Sequence, residues 1–144
     1  MRRGAFTIIE LIFVIFILGV LAATAIVKMG GMSDRAQEVQ LKAFKGTLNR
    51  TSGAGFWFRS IEDDRGGSVA FSDYDNVMNQ YIDLVPGYTT GPSLVNCNAD
   101  GNGTFLTYPF TVTYEIRCKD GTPFESPRFR LYNVDAGVYI DRSD

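Results

Sequence analysis

The stretch FTIIELIFVIFILGVLAATAIV, residues 6–27, decides the fold of this chain of 144 residues. From Leu11 to Val27 it carries no charge, and Thr24 is its only clearly polar side chain. A helix of about 20 residues rises by about 30 Å, which is the thickness of the hydrocarbon core of a bilayer. The stretch therefore predicts a membrane-spanning helix over residues 6–28.

The charges on either side of this stretch predict its orientation. Arg2 and Arg3 precede it, and the next positive residue is Lys28. Because positive residues are retained on the cytoplasmic side, we expect the N-terminus to stay in the cytoplasm. Everything after Lys28 is then expected to be exported.

Glu10 is the one carboxylate within the apolar stretch. A charged side chain at the centre of a membrane helix costs about 2.5–3.5 kcal/mol on insertion scales, so such residues are usually paired. No basic residue lies within one helical turn after Glu10. If proteolysis removed the residues before Phe6, a new α-amino group would lie four residues away, and the amine of a neighbouring copy could then pair with Glu10.

The run GAFTIIEL, residues 4–11, resembles the cleavage motif of type IV prepilins and type II secretion pseudopilins. In that family a short basic leader ends in a small residue, which is followed by Phe and by Glu at the fifth mature position. The resemblance implies cleavage between Ala5 and Phe6, methylation of Phe6, and pairing of Glu10 with a neighbour's N-terminal amine. Gly4 is the commoner residue before the cut, but cleavage there would place Glu10 sixth.

The resemblance also implies an architecture and a function. The fold would be α+β, with a long hydrophobic-then-amphipathic N-terminal helix packed on an antiparallel sheet. The chain would divide into a prepilin leader at residues 1–5, a transmembrane and filament-core helix at 6–28, and an exported head at 29–144. It would be a structural subunit of a type IV pilus-like or type II secretion pseudopilus filament.

The same resemblance implies partners and a location. The partners would be other pilin or pseudopilin subunits, the prepilin peptidase, the membrane and an inner-membrane assembly platform. The protein would cross the inner membrane once, with its N-terminus cytoplasmic and its head periplasmic, before it joins the filament.

Two other interpretations of the N-terminal stretch are open. Ala23-Thr24-Ala25 would serve as the cleavage site of a secretory signal, although the apolar region of such signals normally spans about 7–15 residues. A plain membrane anchor, in which Glu10 has no function, is the second. Either would make the remainder an exported binding module, with Phe56-Trp57-Phe58 or the loop 96–103 as its site.

The exported part begins with a predicted amphipathic helix over about residues 33–52, which Gly53-Ala54-Gly55 would end. Apolar residues recur at helical spacing on one face, and charged residues collect on the other. The aromatic run Phe56-Trp57-Phe58 is more typical of core packing at a helix–sheet junction than of a binding platform. A second helix is expected to begin with Ser72 as its cap and to stop at Pro86-Gly87.

Beyond Thr104 the apolar residues recur at every second position, which is typical of β-strands. The alternation from Phe110 to Cys118 is the clearest, and further strands are expected at 104–108, around 129–131 and at 138–140. Short turns between them predict an antiparallel sheet over about residues 104–141, with one face packed on the helix.

Cys97 and Cys118 are the two cysteines of the chain. Because disulfides form and persist outside the cytoplasm, we expect these two residues to be joined. Closing a loop of about 20 residues stabilises the folded state by roughly 3 kcal/mol in the chain-entropy model.

The loop that begins at Asn96 has the oxygen-bearing residues Asn96, Asn98 and Asp100 at alternate positions, like the opening of a calcium loop. Its twelfth position is Thr107, where a calcium loop has a bidentate Glu. Asn and Gly in left-handed turn conformations explain the same residues. We therefore expect no cofactor, with calcium as the alternative.

The composition excludes several classes of function. The chain has no histidine, which rules out Ser-His-Asp and Cys-His catalysis and imidazole metal ligands. A formal charge of −2 without a basic stripe argues against a nucleic-acid partner. Asp63-Asp64 reads as part of a solvated turn, so we expect no enzyme.

Overall fold

A computed structural model of the chain describes residues 7–140, and for residues 24–32, 51, 52, 79 and 81 the description is confined to the backbone. Its contacts divide the chain into two compact units, Met1–Ala36 and Gln37–Asp144. The helical segments are α1 (Ile8–Thr47), a π-helical turn (Leu48–Gly53), α2 (Ala54–Glu62), α3 (Ser72–Tyr81) and a 3-10 turn (Leu94–Asn96). The strands are β1 (Gly103–Pro109), β2 (Thr113–Lys119), β3 (Arg128–Asn133) and β4 (Val138–Tyr139).

Thr7 caps the start of α1. Its hydroxyl accepts the backbone N–H of Glu10 at 3.4 Å, and its carbonyl accepts that of Leu11 at 3.2 Å. Glu10 lies in the first turn, where the positive end of the helix dipole favours a carboxylate. Residues 7–10 therefore follow the Thr-x-x-Glu pattern of a capping box, a role that the predictions for this stretch do not include.

The predicted fold class is wrong in its helical part. α1 is 40 residues long and passes through Gly30 and Gly31. However, none of the helices within residues 7–140 is apolar over a membrane-spanning length. No long apolar N-terminal helix of the predicted kind is therefore found among the residues that the structure describes.

The predicted location must be corrected for the same reason. Within residues 7–140, none of the helices combines the length and the apolar character that crossing a membrane requires. A single-pass anchor in the inner membrane is therefore wrong for the described part of the chain.

The end of the amphipathic helix also differs from the prediction. Gly53 and Ala54 do not stop the helix, because both have helical backbone angles, with φ of −56° and −72°. A Cβ atom at Gly53 would lie 3.1 Å from the carbonyl oxygen of Pro127. The glycine thus lets the helical chain pass close to the loop before β3 and continue into α2.

The second predicted helix is shorter than expected. α3 follows Phe71, which has an extended backbone, and no side chain caps its first turn, so Ser72 is not the cap. The helix ends at Tyr81, before Pro86, because the chain becomes extended at Ile82, whose side chain is buried in the core.

The sheet is a four-stranded antiparallel meander in the order β1-β2-β3-β4, as the sequence predicts. Tyr114, Ile116 and Cys118 of β2 point to the core, and the residues between them are only partly buried. The strand predicted from Phe110 begins only at Thr113, because residues 110–112 connect β1 to β2. The alternation continues across this connection since the Phe110 ring stacks on Tyr108.

One hydrophobic core in the second unit joins helices and sheet. Among the described side chains of α1, only Leu41 and Phe44 are buried, and they belong to this core. The predicted packing of a long helix along the sheet is thus limited to the last turns of α1 and to the π-helical turn that follows.

Asn49, in the π-helical turn, connects the helical segments to the sheet edge. Its Oδ1 accepts the N–H of Phe129 at 2.8 Å, and its Nδ2 donates to the carbonyl oxygen of Phe129 at 2.9 Å. The side-chain amide thereby takes the place of a neighbouring strand and satisfies backbone groups of β3 that would otherwise be unpaired.

Candidate functional site

In the first unit, the apolar side chains of α1 are exposed. Ile8 is 80% exposed and Phe16 is 67% exposed. The exposed large apolar residues of this segment are Ile8, Ile9, Leu11, Ile12, Phe13, Val14, Ile15, Phe16, Ile17, Leu18, Val20 and Leu21. We call these residues the apolar collar.

The apolar collar surrounds the helix rather than forming one stripe. With 3.6 residues per turn, eight consecutive residues from Leu11 to Leu18 cover every side of the helix. A helix that is hydrophobic all round is normally buried, and an exposed apolar surface of this extent marks an interaction site. The apolar collar is therefore the candidate functional site.

Glu10 lies within the apolar collar and is exposed. Among the residues that the structure describes, its carboxylate has no hydrogen bond or ion pair. The next charged residue along α1 is Lys28, about 27 Å further along the helix axis. A cation for Glu10 therefore has to come from outside residues 8–27.

The predicted processing site lies outside the described residues. Gly4, Ala5 and Phe6 precede residue 7, where the description begins. Cleavage before Phe6 and its methylation therefore stay predictions.

The predicted disulfide is confirmed. Cys97 and Cys118 are bonded, with their Cα atoms 5.0 Å apart, and both side chains are buried. The carbonyl oxygen of Asn98 also accepts the N–H of Asp120 at 2.9 Å. The bond and this contact hold the loop that begins at Asn96 against the end of β2.

The calcium candidates in this loop form a turn. Asn96 donates its side-chain amide to the carbonyl oxygen of Thr104 at 3.0 Å, and Asn98 accepts the N–H of Asn102 at 3.0 Å. Asp100 is exposed next to Gly101, which has a φ of 75°. Across residues 7–140 no group of three or more His, Cys, Asp or Glu side chains could hold a metal ion. The contacts favour the turn interpretation of the loop.

The aromatic run is divided between core and surface. Phe56 is buried, as expected for core packing, whereas Phe58 is 65% exposed. Trp57 donates its indole N–H to the carbonyl oxygen of Thr122 at 2.7 Å. A Cβ atom at Gly67, which has a φ of 85°, would lie 2.2 Å from that oxygen, so this contact requires glycine there.

The sequence contains a signal for the capping role of Thr7 but none for the contact of Asn49 with the sheet. The spacing of Thr7 and Glu10 is a capping pattern, but nothing in the sequence pairs Asn49 with Phe129, which lies 80 residues away.

The chain matches no protein-family model, no curated protein and no solved structure.

Proposed function

We propose that the chain is a structural subunit of a pilin-like filament and assembles through the apolar collar of α1. The observation that carries this proposal is the exposure of apolar side chains on all sides of the helix over residues 8–21. Full burial of a Leu, Ile or Phe side chain stabilises by about 1.5–3 kcal/mol. Contacts with several neighbouring copies would remove this surface from water, whereas a single partner would cover only one side.

Glu10 provides selectivity in this proposal. Its carboxylate is exposed and without a partner among the described residues, and burying it unpaired in an apolar assembly would be costly. Removal of residues 1–5 by a prepilin peptidase would create an amine at Phe6, which stays positively charged after methylation. A subunit that enters in register would bring this amine to the Glu10 of its neighbour.

The first test is the intact mass of the mature chain, purified from cells that express it together with its peptidase. The proposal predicts residues 6–144 with one added methyl group. A chain that begins at Met1 would overturn the processing step. A chain that begins at Ile26 would favour a secreted binding module instead.

The second test uses Glu10→Ala, with Asp34→Ala as a matched control because it also removes a carboxylate from α1. We expect cleavage to be unchanged in both variants. The filament yield, measured by quantitative immunoblot of sheared filaments, should fall at least about tenfold in Glu10→Ala only, which corresponds to roughly 1.4 kcal/mol. Normal yield from Glu10→Ala would contradict the proposed role.

A further inference from the structure

A groove of about 290 Å³ lies at the edge of β3 in the second unit. It is lined by Lys45, Asn49, Ser126, Pro127, Arg128, Phe129 and Arg130. Its charged lining residues are all basic, and we call it the basic groove.

Within residues 7–140, no acidic side chain lines the basic groove. The amide of Asn49 is already bonded to the backbone of Phe129. Arg128 is exposed and contacts no acidic side chain within residues 7–140, and the guanidinium carbon of Arg130 lies 5.7 Å from the centre of the Tyr139 ring. Two guanidinium groups thus face a cavity in which carboxylates would find planar, bidentate donors.

An acidic turn, residues 62–64, follows α2. The arginines nearest to it already have partners, because Arg59 lies 3.8 Å from Asp63 and Arg65 lies 2.9 Å from Asp73. Glu62 and Asp64 are exposed, and neither has a side-chain partner in the part of the chain that the structure describes. These two carboxylates are therefore available to a partner.

The basic groove and the acidic turn lie at opposite ends of α2. Gly53, which precedes the helix, approaches Pro127 of the groove, and the acidic turn begins at its last residue, Glu62. The 9 residues of α2 separate the two features by about 13 Å along the helix axis. The two surfaces differ, so a contact between them in two copies is heterologous and can repeat without closing.

We propose that the basic groove binds the acidic turn of a second copy of this chain. The proposal rests on the proposed filament function and deepens it by naming the contact between successive heads. Arg128 and Arg130 of one copy pair with Glu62 and Asp64 of the next. Because these groups are exposed, salt weakens the contact.

The test measures self-association of the full chain by sedimentation velocity in a mild detergent that covers the apolar collar. Association should weaken as salt rises from about 0.05 M to about 0.5 M, where screening is stronger. The variants R128E/R130E and E62K/D64K should each lose association about tenfold or more, since each places like charges opposite each other. An equal mixture of the two variants should associate again, because the acidic groove of one fits the basic turn of the other.

Two controls keep the result interpretable. D83K/D100K changes the net charge as much as E62K/D64K does, at two other exposed carboxylates, and should associate like the wild-type chain. Thermal unfolding of every variant checks that the fold is retained.

The inference is overturned if the mixed variants stay apart, or if D83K/D100K is as defective as E62K/D64K. Loss of association in R128E/R130E without rescue by E62K/D64K would show that the groove contacts a different surface of the second copy, and it would overturn the pairing with the acidic turn. The filament yield and the intact mass are measured separately. A normal methylated chain and normal filaments, together with failed rescue, would contradict this inference without contradicting the proposed function.

Discussion

Large apolar side chains are buried in the second unit of the chain and exposed in the described part of the first. In the second unit, Leu41, Phe105 and Leu131 are completely buried, at 0% exposure. In the apolar collar of α1, equally large residues are 42–80% exposed. The hydrophobic residues do not differ in type, but those of the second unit share a core whereas those of the apolar collar are exposed.

This difference shows what each unit depends on. The second unit combines a sheet, a disulfide and helix ends that share one core. The side chains of the apolar collar are exposed, and in the proposed filament other copies would bury them. Changes in the core should therefore affect folding, and changes in the collar should affect assembly.

The largest effect is expected for Phe105→Ala, compared with Phe13→Ala. Phe105 is fully buried, and its truncation should destabilise the second unit by about 3–5 kcal/mol. Phe13 is 65% exposed, so its truncation should leave that stability unchanged but reduce filament yield. Denaturant unfolding followed by the fluorescence of Trp57, the single tryptophan, measures the first effect. Equal destabilisation by both variants would remove the distinction between the units.

Removal of the disulfide should have the next largest effect. The bond joins residues 21 positions apart. In the chain-entropy model, its loss in C97S/C118S should lower the free energy of unfolding by about 3 kcal/mol. Hydrogen exchange over residues 8–21 of α1 should be the same in this variant as in the wild-type chain. A stability that is unaffected by the double variant would show that the core alone holds the loop.

A smaller loss is expected for Asn49→Ala. The change leaves the N–H and the carbonyl of Phe129 without the amide that pairs with them, which should cost about 1–3 kcal/mol. Asn76→Ala is the matched control, because Asn76 is exposed on α3. Hydrogen exchange at the amide of Phe129 should accelerate in the first variant only. Unchanged hydrogen exchange at Phe129 would mean that the side chain of Asn49 does not protect the edge of β3.

The smallest effect is a gain, expected for Tyr108→Phe. The hydroxyl of Tyr108 is buried and has no hydrogen-bond partner among the residues that the structure describes. Its removal should stabilise the second unit by about 1 kcal/mol at neutral pH. Chemical unfolding at pH 7 measures the gain.

The same tyrosine predicts a pH dependence. Burial raises the pKa of Tyr108 from 10.0 to about 12. The folded state keeps this proton at a pH where the unfolded state has lost it, so stability is complete below pH 10 and falls as the pH rises towards about 12. Tyr108→Phe should reduce this alkaline loss, and an identical pH profile in both proteins would contradict the assignment.

The sequence predicted the second unit better than the first. The antiparallel sheet and the disulfide follow from the alternation of Tyr114, Ile116 and Cys118 and from the presence of only two cysteines. The strands are predicted from apolar residues at every second position, and the disulfide is predicted because the chain has only two cysteines. The end of the helix was missed, because Gly53 looks like a terminator when its approach to Pro127 is unknown.

The long-range contacts could not be predicted. The bonds of Asn49 to Phe129 and of Trp57 to Thr122 join residues 80 and 65 positions apart, and no periodicity indicates them. The membrane-spanning interpretation came from hydropathy, helix length and the resemblance of residues 4–11 to the prepilin motif. Hydropathy identifies an apolar helix, but it does not say which surface covers that helix.

The central claim, that other copies of the chain cover the apolar collar, can be tested by photo-cross-linking in assembled filaments. Phe16 and Phe124 are both exposed phenylalanines, at 67% and 92%, and each can be replaced by benzoylphenylalanine. The account predicts cross-links to a second copy from position 16, whereas cross-links from position 124, two residues from Ser126 of the basic groove, would report the separate contact between heads. Absence of a cross-link between copies from position 16 would contradict it.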